Sequence, residues 1–245
     1  MRWNGKAWSE VGLWYIDPIN SASVLSPTDV WVFGAPMAWH WNGKGWWMVS
    51  AAGGGSELLV DGGSGRSADD AWVYGALGGA AGAAGNDLAH WNGKSWKNIS
   101  VARLLLMGDV NSVYEQSPDN AWALGSAYVD ATSSNPGGTE LILLHWNGSA
   151  WSRVLQDPSV AGTGGEITGD GHGGLWLANI VTLKGRELLH YSDGRLATAS
   201  MPSAGTGIQV YSAAPIPGTE SALAVGYTIA RPSGSSADFL LHYGS

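Results

Sequence analysis

The segment His145-Trp146-Asn147-Gly148-Ser149-Ala150-Trp151 constrains this chain more than any other, because it is repeated. It recurs as His90-Trp91-Asn92-Gly93-Lys94-Ser95-Trp96 and as His40-Trp41-Asn42-Gly43-Lys44-Gly45-Trp46, and the chain begins with Trp3-Asn4-Gly5-Lys6-Ala7-Trp8. Asn-Gly between two apolar runs is the strongest short-range signal for a β-hairpin, since a type I′ turn needs positive φ at both central residues. A hairpin that returns along the chain predicts a repeat architecture.

Each hairpin follows a second motif. It reads Ser26-Pro27-Thr28-Asp29-Val30-Trp31-Val32-Phe33-Gly34, then Ser67-Ala68-Asp69-Asp70-Ala71-Trp72-Val73-Tyr74-Gly75, then Ser117-Pro118-Asp119-Asn120-Ala121-Trp122-Ala123-Leu124-Gly125. The Ser/Pro/Asp cluster is a turn and the run around Trp is a strand. Two weaker copies lie at Gly171–Gly194 and Gly218–Tyr243. A third element precedes each turn: Ile19-Asn20-Ser21, Val60-Asp61-Gly62, Val110-Asn111-Ser112, Gly164-Gly165-Glu166 and Tyr211-Ser212-Ala213. Each unit is therefore four short strands, a to d, near 110–116, 121–126, 141–146 and 150–155 in the third copy. From Trp31 through Trp72, Trp122 and Trp176 to Leu223 the steps are 41, 50, 54 and 47 residues. Four antiparallel strands per repeat of that size is a propeller blade.

The expected fold is an all-β, five-bladed β-propeller in a single domain. Its blades span approximately 13–50, 51–100, 101–155, 156–200 and 201–245, the last completed by 1–12. The N-terminal strand d would join strands a–c of the C-terminus, closing the ring and covering two sheet edges.

Composition excludes several functions. The net charge is −8 and the 12 basic residues are scattered, against a nucleic-acid or anionic-membrane partner. No apolar run nears the roughly 20 residues of a membrane-spanning helix. With no cysteine there is no disulfide, thiolate nucleophile or Cys-ligated zinc. No signal peptide is visible, and a start in mid-hairpin points to a domain of a longer chain.

Of the 15 tryptophans, twelve sit at three repeated positions and read as packing between blades. Trp14, Trp39 and Trp47 are unrepeated and are the better ligand candidates. Five histidines, His40, His90, His145, His190 and His242, share one blade position, spread around the ring too far apart to share an ion. Their expected role is structural: bonding toward the turn, as with Ser117 and Asp119, and toward the strand-b Trp122. No metal or cofactor is expected.

Topology puts both tight turns of every blade on one face. The long b–c and d–a connections share the other, and variable loops over a rigid scaffold are where binding resides. Matched offsets place Asn20, Asp61, Asn111, Glu166 and Ser212 around the channel mouth on this long-loop face. Asp61 and Glu166 are the acid pair that glycoside hydrolysis would need there. The segment Asp170-Gly171-His172-Gly173-Gly174 has the look of a calcium loop but occupies the a–b turn. No G-x-S-x-G, H-E-x-x-H or P-loop motif is present.

The pairing of S-x-D-x-W-A-x-G with L-L-H-W-N-G-x-x-W resembles repeats of bacterial β-propeller domains, found in secreted or surface proteins and in sensor regions of receptor-type kinases. The run from Asp170 to Leu177 is similar to periplasmic propeller repeats of two-component sensors. The His/Ser/Asp/Trp set is similar to the structural tetrad of WD40 blades, without the W-D ending, and the blade size to that of tachylectin-like lectins. The resemblance implies architecture, with an extracellular or cell-surface setting, and no single activity.

The expected function is a non-enzymatic, monomeric binding or sensor module of a larger bacterial protein. A carbohydrate or a protein is its expected partner. A five-bladed glycoside hydrolase and a purely structural or engineered propeller are the alternatives.

Overall fold

The computed structural model describes residues 5–10, 12, 18–34, 37–49, 59–76, 87–106, 108–130, 138–160, 164–182, 184–200, 207–216, 219, 221–229 and 236–243, and the backbone of residues 2–3. It is all-β, with five blades of mostly four antiparallel strands arranged in a ring.

A two-stranded hairpin comes first, β1 (Arg2–Trp3) with β2 (Trp8–Ser9). The first blade is β3 (Ile19–Ser26), β4 (Asp29–Gly34), β5 (Met37–Trp41) and β6 (Trp46–Val49). The second is β7 (Leu59–Ser67), β8 (Asp70–Ala76), β9 (Asp87–Trp91) and β10 (Trp96–Ser100). The third is β11 (Val110–Ser117), β12 (Asn120–Val129), β13 (Gly138–Trp146) and β14 (Trp151–Asp157). The fourth is β15 (Glu166–Gly169), β16 (Leu175–Thr182), β17 (Gly185–Ser192) and β18 (Arg195–Thr198). The fifth has three strands, β19 (Gly207–Pro215), β20 (Ala222–Ile229) and β21 (Ser236–Tyr243). Strand order follows chain order in every blade, and the first strands touch from blade to blade, so they line the axis.

The Asn-Gly hairpins differ from the expected two-residue turn. Trp41 pairs with Trp46, Trp91 with Trp96 and Trp146 with Trp151, leaving four-residue loops. Only Gly43, Gly93 and Gly148 have left-handed φ, between 84° and 88°. The Asn side chain does the remaining work: Asn42 Oδ1 accepts the N–H groups of Lys44 and Gly45, both at 3.0 Å. The fourth blade does use the two-residue turn, with Ser192 paired to Arg195 and positive φ at Asp193 and Gly194.

Packing follows the period-2 alternation of strands. Four apolar clusters lie at the four contacts between consecutive blades. Trp31, Trp72 and Trp176 are fully buried in them, and each meets aromatic residues of the next blade, as Trp72 does Trp146 and Trp151 at 5.2 and 5.1 Å.

The contact between the fifth and first blades is different. Among the described residues no apolar cluster joins them. Leu223, Val225 and Leu240 on the flank of the fifth blade that faces the first are 37, 44 and 65% exposed, whereas the register equivalents Trp31, Phe33 and Leu88 are fully buried. Val24, on the opposite free flank of the first blade, is 74% exposed. The N-terminal strand expected to complete the fifth blade pairs with Arg2–Trp3, and among the described residues no ladder joins it to β21.

Strands b and c of the third blade run on to Val129 and from Gly138, into the stretch expected to be loop. The other long b–c segments, 77–86 and 230–235, lie outside the described residues.

Candidate functional site

On the tight-turn face the histidines form a repeated unit. His40 Nε2 donates to Asp29 at 2.7 Å, His90 to Asp70 at 2.7 Å, His145 to Asn120 at 3.0 Å and His190 to Asp170 at 2.8 Å. Each ring lies 4.3–4.7 Å from the strand-b tryptophan of its blade. The turn residue that holds His145 is Asn120, one position beyond the expected Asp119. Ser117 and Asp119 instead bond each other. Trp41, Trp91 and Trp146 donate their indole N–H to the turn carbonyls of Pro27, Ala68 and Pro118. His242 is exposed, and Leu223 stands where the other blades have Trp. Asp170 closes its own loop, accepting N–H groups of His172 and Gly174 at 2.8 Å, as a turn residue does.

On the long-loop face the inner strands of the first, second, third and fifth blades carry a β-bulge, and β15 of the fourth has none among its described pairs. The skipped residues are Asn20, Asp61, Asn111 and Tyr211. A bulge re-aims one side chain and sharpens the local twist. The register corrects the expected ring of five: Glu166 pairs with Ala178 and Ser212 with Val225, which puts both level with Ser21, Gly62 and Ser112, one residue beyond Asn20, Asp61 and Asn111. Ser212 Oγ donates to Glu166 Oε2 at 2.7 Å, tying the fifth blade to the fourth.

Acidic groups converge on this mouth. Burial, then the charge of Asp109, raises the Asp61 carboxyl above its ordinary value. Burial, then the nearby Asp61 and Glu166, pushes the Tyr74 hydroxyl up to about 12. Asp61 and Glu166 thus act on one buried phenol, although they sit on inner strands two blades apart.

The two unrepeated tryptophans among the described residues do not converge. Trp39 pairs with Met48 and Trp47 with His40, so the two project to opposite faces of the first blade. Trp39 is half-buried and Trp47 exposed; Trp14 lies outside the described residues.

A cluster that the repeat pattern did not single out sits between the fourth and fifth blades. Tyr211, 40% exposed on its bulge, stacks on Tyr227 with ring centroids 5.6 Å apart. The Arg186 guanidinium lies 5.5 Å from the Tyr211 ring centroid and donates to Asn179 Oδ1. Asn179 is itself at a bulge, with φ of 60°. Gln209 Oε1 accepts the Arg186 backbone N–H at 3.2 Å. The result is an aromatic pair, Tyr211 exposed and Tyr227 half-buried, edged by Arg186 and Asn179, with the Ser212–Glu166 bond starting from the residue next to Tyr211. The only signal for it in the sequence is departure from the repeat: Tyr211 stands where the first three inner strands have Asn20, Asp61 and Asn111. A separate depression of about 200 Å³ on the fourth blade is lined by Ser159, Val160, Thr182, Lys184, Glu187, Leu189 and Thr198.

One further acidic group lies between blades two and three. Burial, then Asp70, pushes the Glu115 carboxyl up to about 9.

Among the described residues no helix is long and apolar enough to cross a membrane. No family model matches the chain, and no curated protein matches it in sequence. Solved structures that it resembles are β-propellers. The β-propeller domain of the Trilobed protease from Pyrococcus furiosus, described as having an open velcro topology, aligns with a TM-score of 0.52 at 9% identity, over 91% of this chain and 64% of that one. The chain thus spans under two thirds of the length of that propeller. The six-bladed, fucose-recognising lectin of Aleuria aurantia aligns with a TM-score of 0.46 at 13% identity, over 87% of this chain and 70% of the lectin. The extracellular domain of a hybrid two-component system from B. thetaiotaomicron aligns with a TM-score of 0.40 at 10% identity, over 93% of this chain and 32% of that one. At these identities the likeness is one of fold: the chain is a five-bladed β-propeller.

Proposed function

We propose that this propeller is a non-enzymatic recognition module that binds a carbohydrate at the channel mouth between its fourth and fifth blades. The observation that carries this reading is the Tyr211–Tyr227 stack, exposed at Tyr211, beside Arg186 and Asn179. An aromatic platform covers the C–H face of a sugar, and a rim of charged and amide groups bonds its hydroxyls. The repeat resemblance fits a module of a larger bacterial surface or sensor protein.

A glycan array with the intact protein tests this, beside a Tyr211→Ala variant. Binding to a defined glycan that the variant loses at unchanged fold supports the reading. An array without signal removes the carbohydrate and leaves a protein partner.

The second reading is a glycoside hydrolase with Asp61 and Glu166 as its acids, favoured by their shared influence on Tyr74. Turnover of chromogenic glycosides that Asp61→Asn/Glu166→Gln abolishes would replace the first reading with this one.

A further inference from the structure

The second blade carries more than the repeated acid–histidine pair. Asp70 Oδ1 accepts from His90 Nε2, and Asp70 Oδ2 accepts from Arg66 Nε at 3.0 Å and from Arg66 Nη2. Into this pair reaches Glu115, from the inner strand of the third blade. One ligand atom each of Asp70, His90 and Glu115 lie within 4.8 Å of one another. The Glu115 side chain is wholly shielded from water, and no hydrogen-bond donor reaches either of its oxygens. The nearest cation is Arg66, with Nε 3.8 Å from Oε1. Its backbone is fixed by Ser64, whose Oγ accepts the Glu115 N–H at 3.1 Å.

Two carboxyl groups share this dry interface with one guanidinium, so without a further cation one of them must hold a proton; a cation entering between them would displace that proton and take both as ligands. The scaffold does not require this arrangement. At the register position of Glu115 the other inner strands have Val24, Gly65, Gly169 and Pro215. The third acid is peculiar to this junction, which separates it from the structural unit that the other blades share.

We propose that Asp70, His90 and Glu115 bind a divalent transition-metal ion that staples the second blade to the third. One imidazole nitrogen and two carboxylate oxygens form the mixed donor set that suits zinc or manganese. The surroundings already do what outer groups do at a metal centre. Arg66 grips Oδ2 of Asp70 and leaves Oδ1 turned toward His90, and Trp72 stacks on the imidazole at 4.5 Å, fixing its plane. With the ion bound, His90 offers Nε2 to it and carries its proton on Nδ1.

The test uses tag-free protein stripped with a chelator, then titrated with Zn²⁺ or Mn²⁺ by calorimetry and thermal unfolding. One ion binds per chain, and Tm rises by roughly 5–10 °C at a hundredfold excess over Kd. Glu115→Gln abolishes the rise. His40→Ala, which breaks a matching pair that has no third acid, keeps it. A stripped protein that takes up neither ion overturns the proposal. So does a Glu115→Gln variant with the full response, or a protonated-carboxyl infrared band that persists with the ion in excess. Should Glu115→Gln not fold, the cobalt(II) spectrum of the wild-type protein replaces it, and absence of ligand-field bands counts against the site.

Discussion

His145 Nε2 donates to the Asn120 amide oxygen at 3.0 Å, where three other blades place a carboxylate under the same nitrogen at 2.7–2.8 Å. Burial holds the His145 imidazole below its ordinary value, with no anion to offset it. The folded state therefore binds fewer protons than the unfolded chain near pH 6.5, and this contribution to stability is present above that pH and lost as pH falls through it. Asn120→Asp should raise the His145 pKa, read by NMR titration, and flatten the acid limb of the stability curve. An unmoved titration would show that the neighbouring carboxylate has no hold on the ring.

The same linkage runs the other way at Tyr74. Its folded pKa of about 12 lies above the ordinary 10, so its contribution is present below pH 10 and lost as pH rises through 12. Tyr74→Phe should remove about 1 kcal/mol of the alkaline destabilisation that develops between pH 9 and pH 11, seen by denaturant unfolding at those two values. Equal losses in both proteins over that interval would contradict it.

Arg186 offers a finer probe of the proposed ligand seat than the tyrosines. Its planar group bonds Asn179 while lying over Tyr211, a combination that an ammonium cannot reproduce. Arg186→Lys should weaken glycan binding roughly tenfold, with Tm shifted by less than about 2 °C. Unchanged affinity would place the ligand elsewhere on the face.

Two leucines at one blade position should behave oppositely. Leu143→Ala empties a packed junction and should cost about 2–5 kcal/mol. Leu240→Ala, on the free flank, should cost less than about 1 kcal/mol. Similar losses would mean that in solution the fifth blade is covered as tightly as the third.

Two glycines separate strain from crowding. Gly194 has a φ of 75° and open space around a Cβ, so Gly194→Ala should cost about 1 kcal/mol from backbone strain alone. At Gly65 a Cβ would run into the Trp31 indole. Gly65→Ala should cost about 2–4 kcal/mol and perturb tryptophan fluorescence. If the two cost the same, indole packing is looser than it looks.

The blades were legible because their determinants are local and repeated. Trp-x-aromatic-Gly alternation, Asn-Gly turns and one histidine per unit set strand, turn and facing together. What escaped the sequence depends on register. The offset that holds for Asn20, Asp61 and Asn111 slips by one residue at Glu166 and Ser212, because Gly165 and Tyr211 stand at the matching positions and no Asn or Asp marks them. The same one-residue ambiguity hid Asn120 behind Asp119. The Tyr211–Tyr227 stack and the approach of Glu115 to Asp70 join residues of different strands and blades, and no spacing along one chain encodes such meetings.

The fifth blade's uncovered flank has a mechanical meaning. With four junctions sealed by apolar clusters and none joining the fifth blade to the first among the described residues, this propeller should unfold less like a closed hoop than like a short stack of plates, each held by its neighbours. Amide exchange would then rise from the third blade, the innermost plate, toward the first and fifth. The Tyr211 platform, one plate from the open end, would sit on a part of the molecule that yields early and that a bound ligand would stiffen.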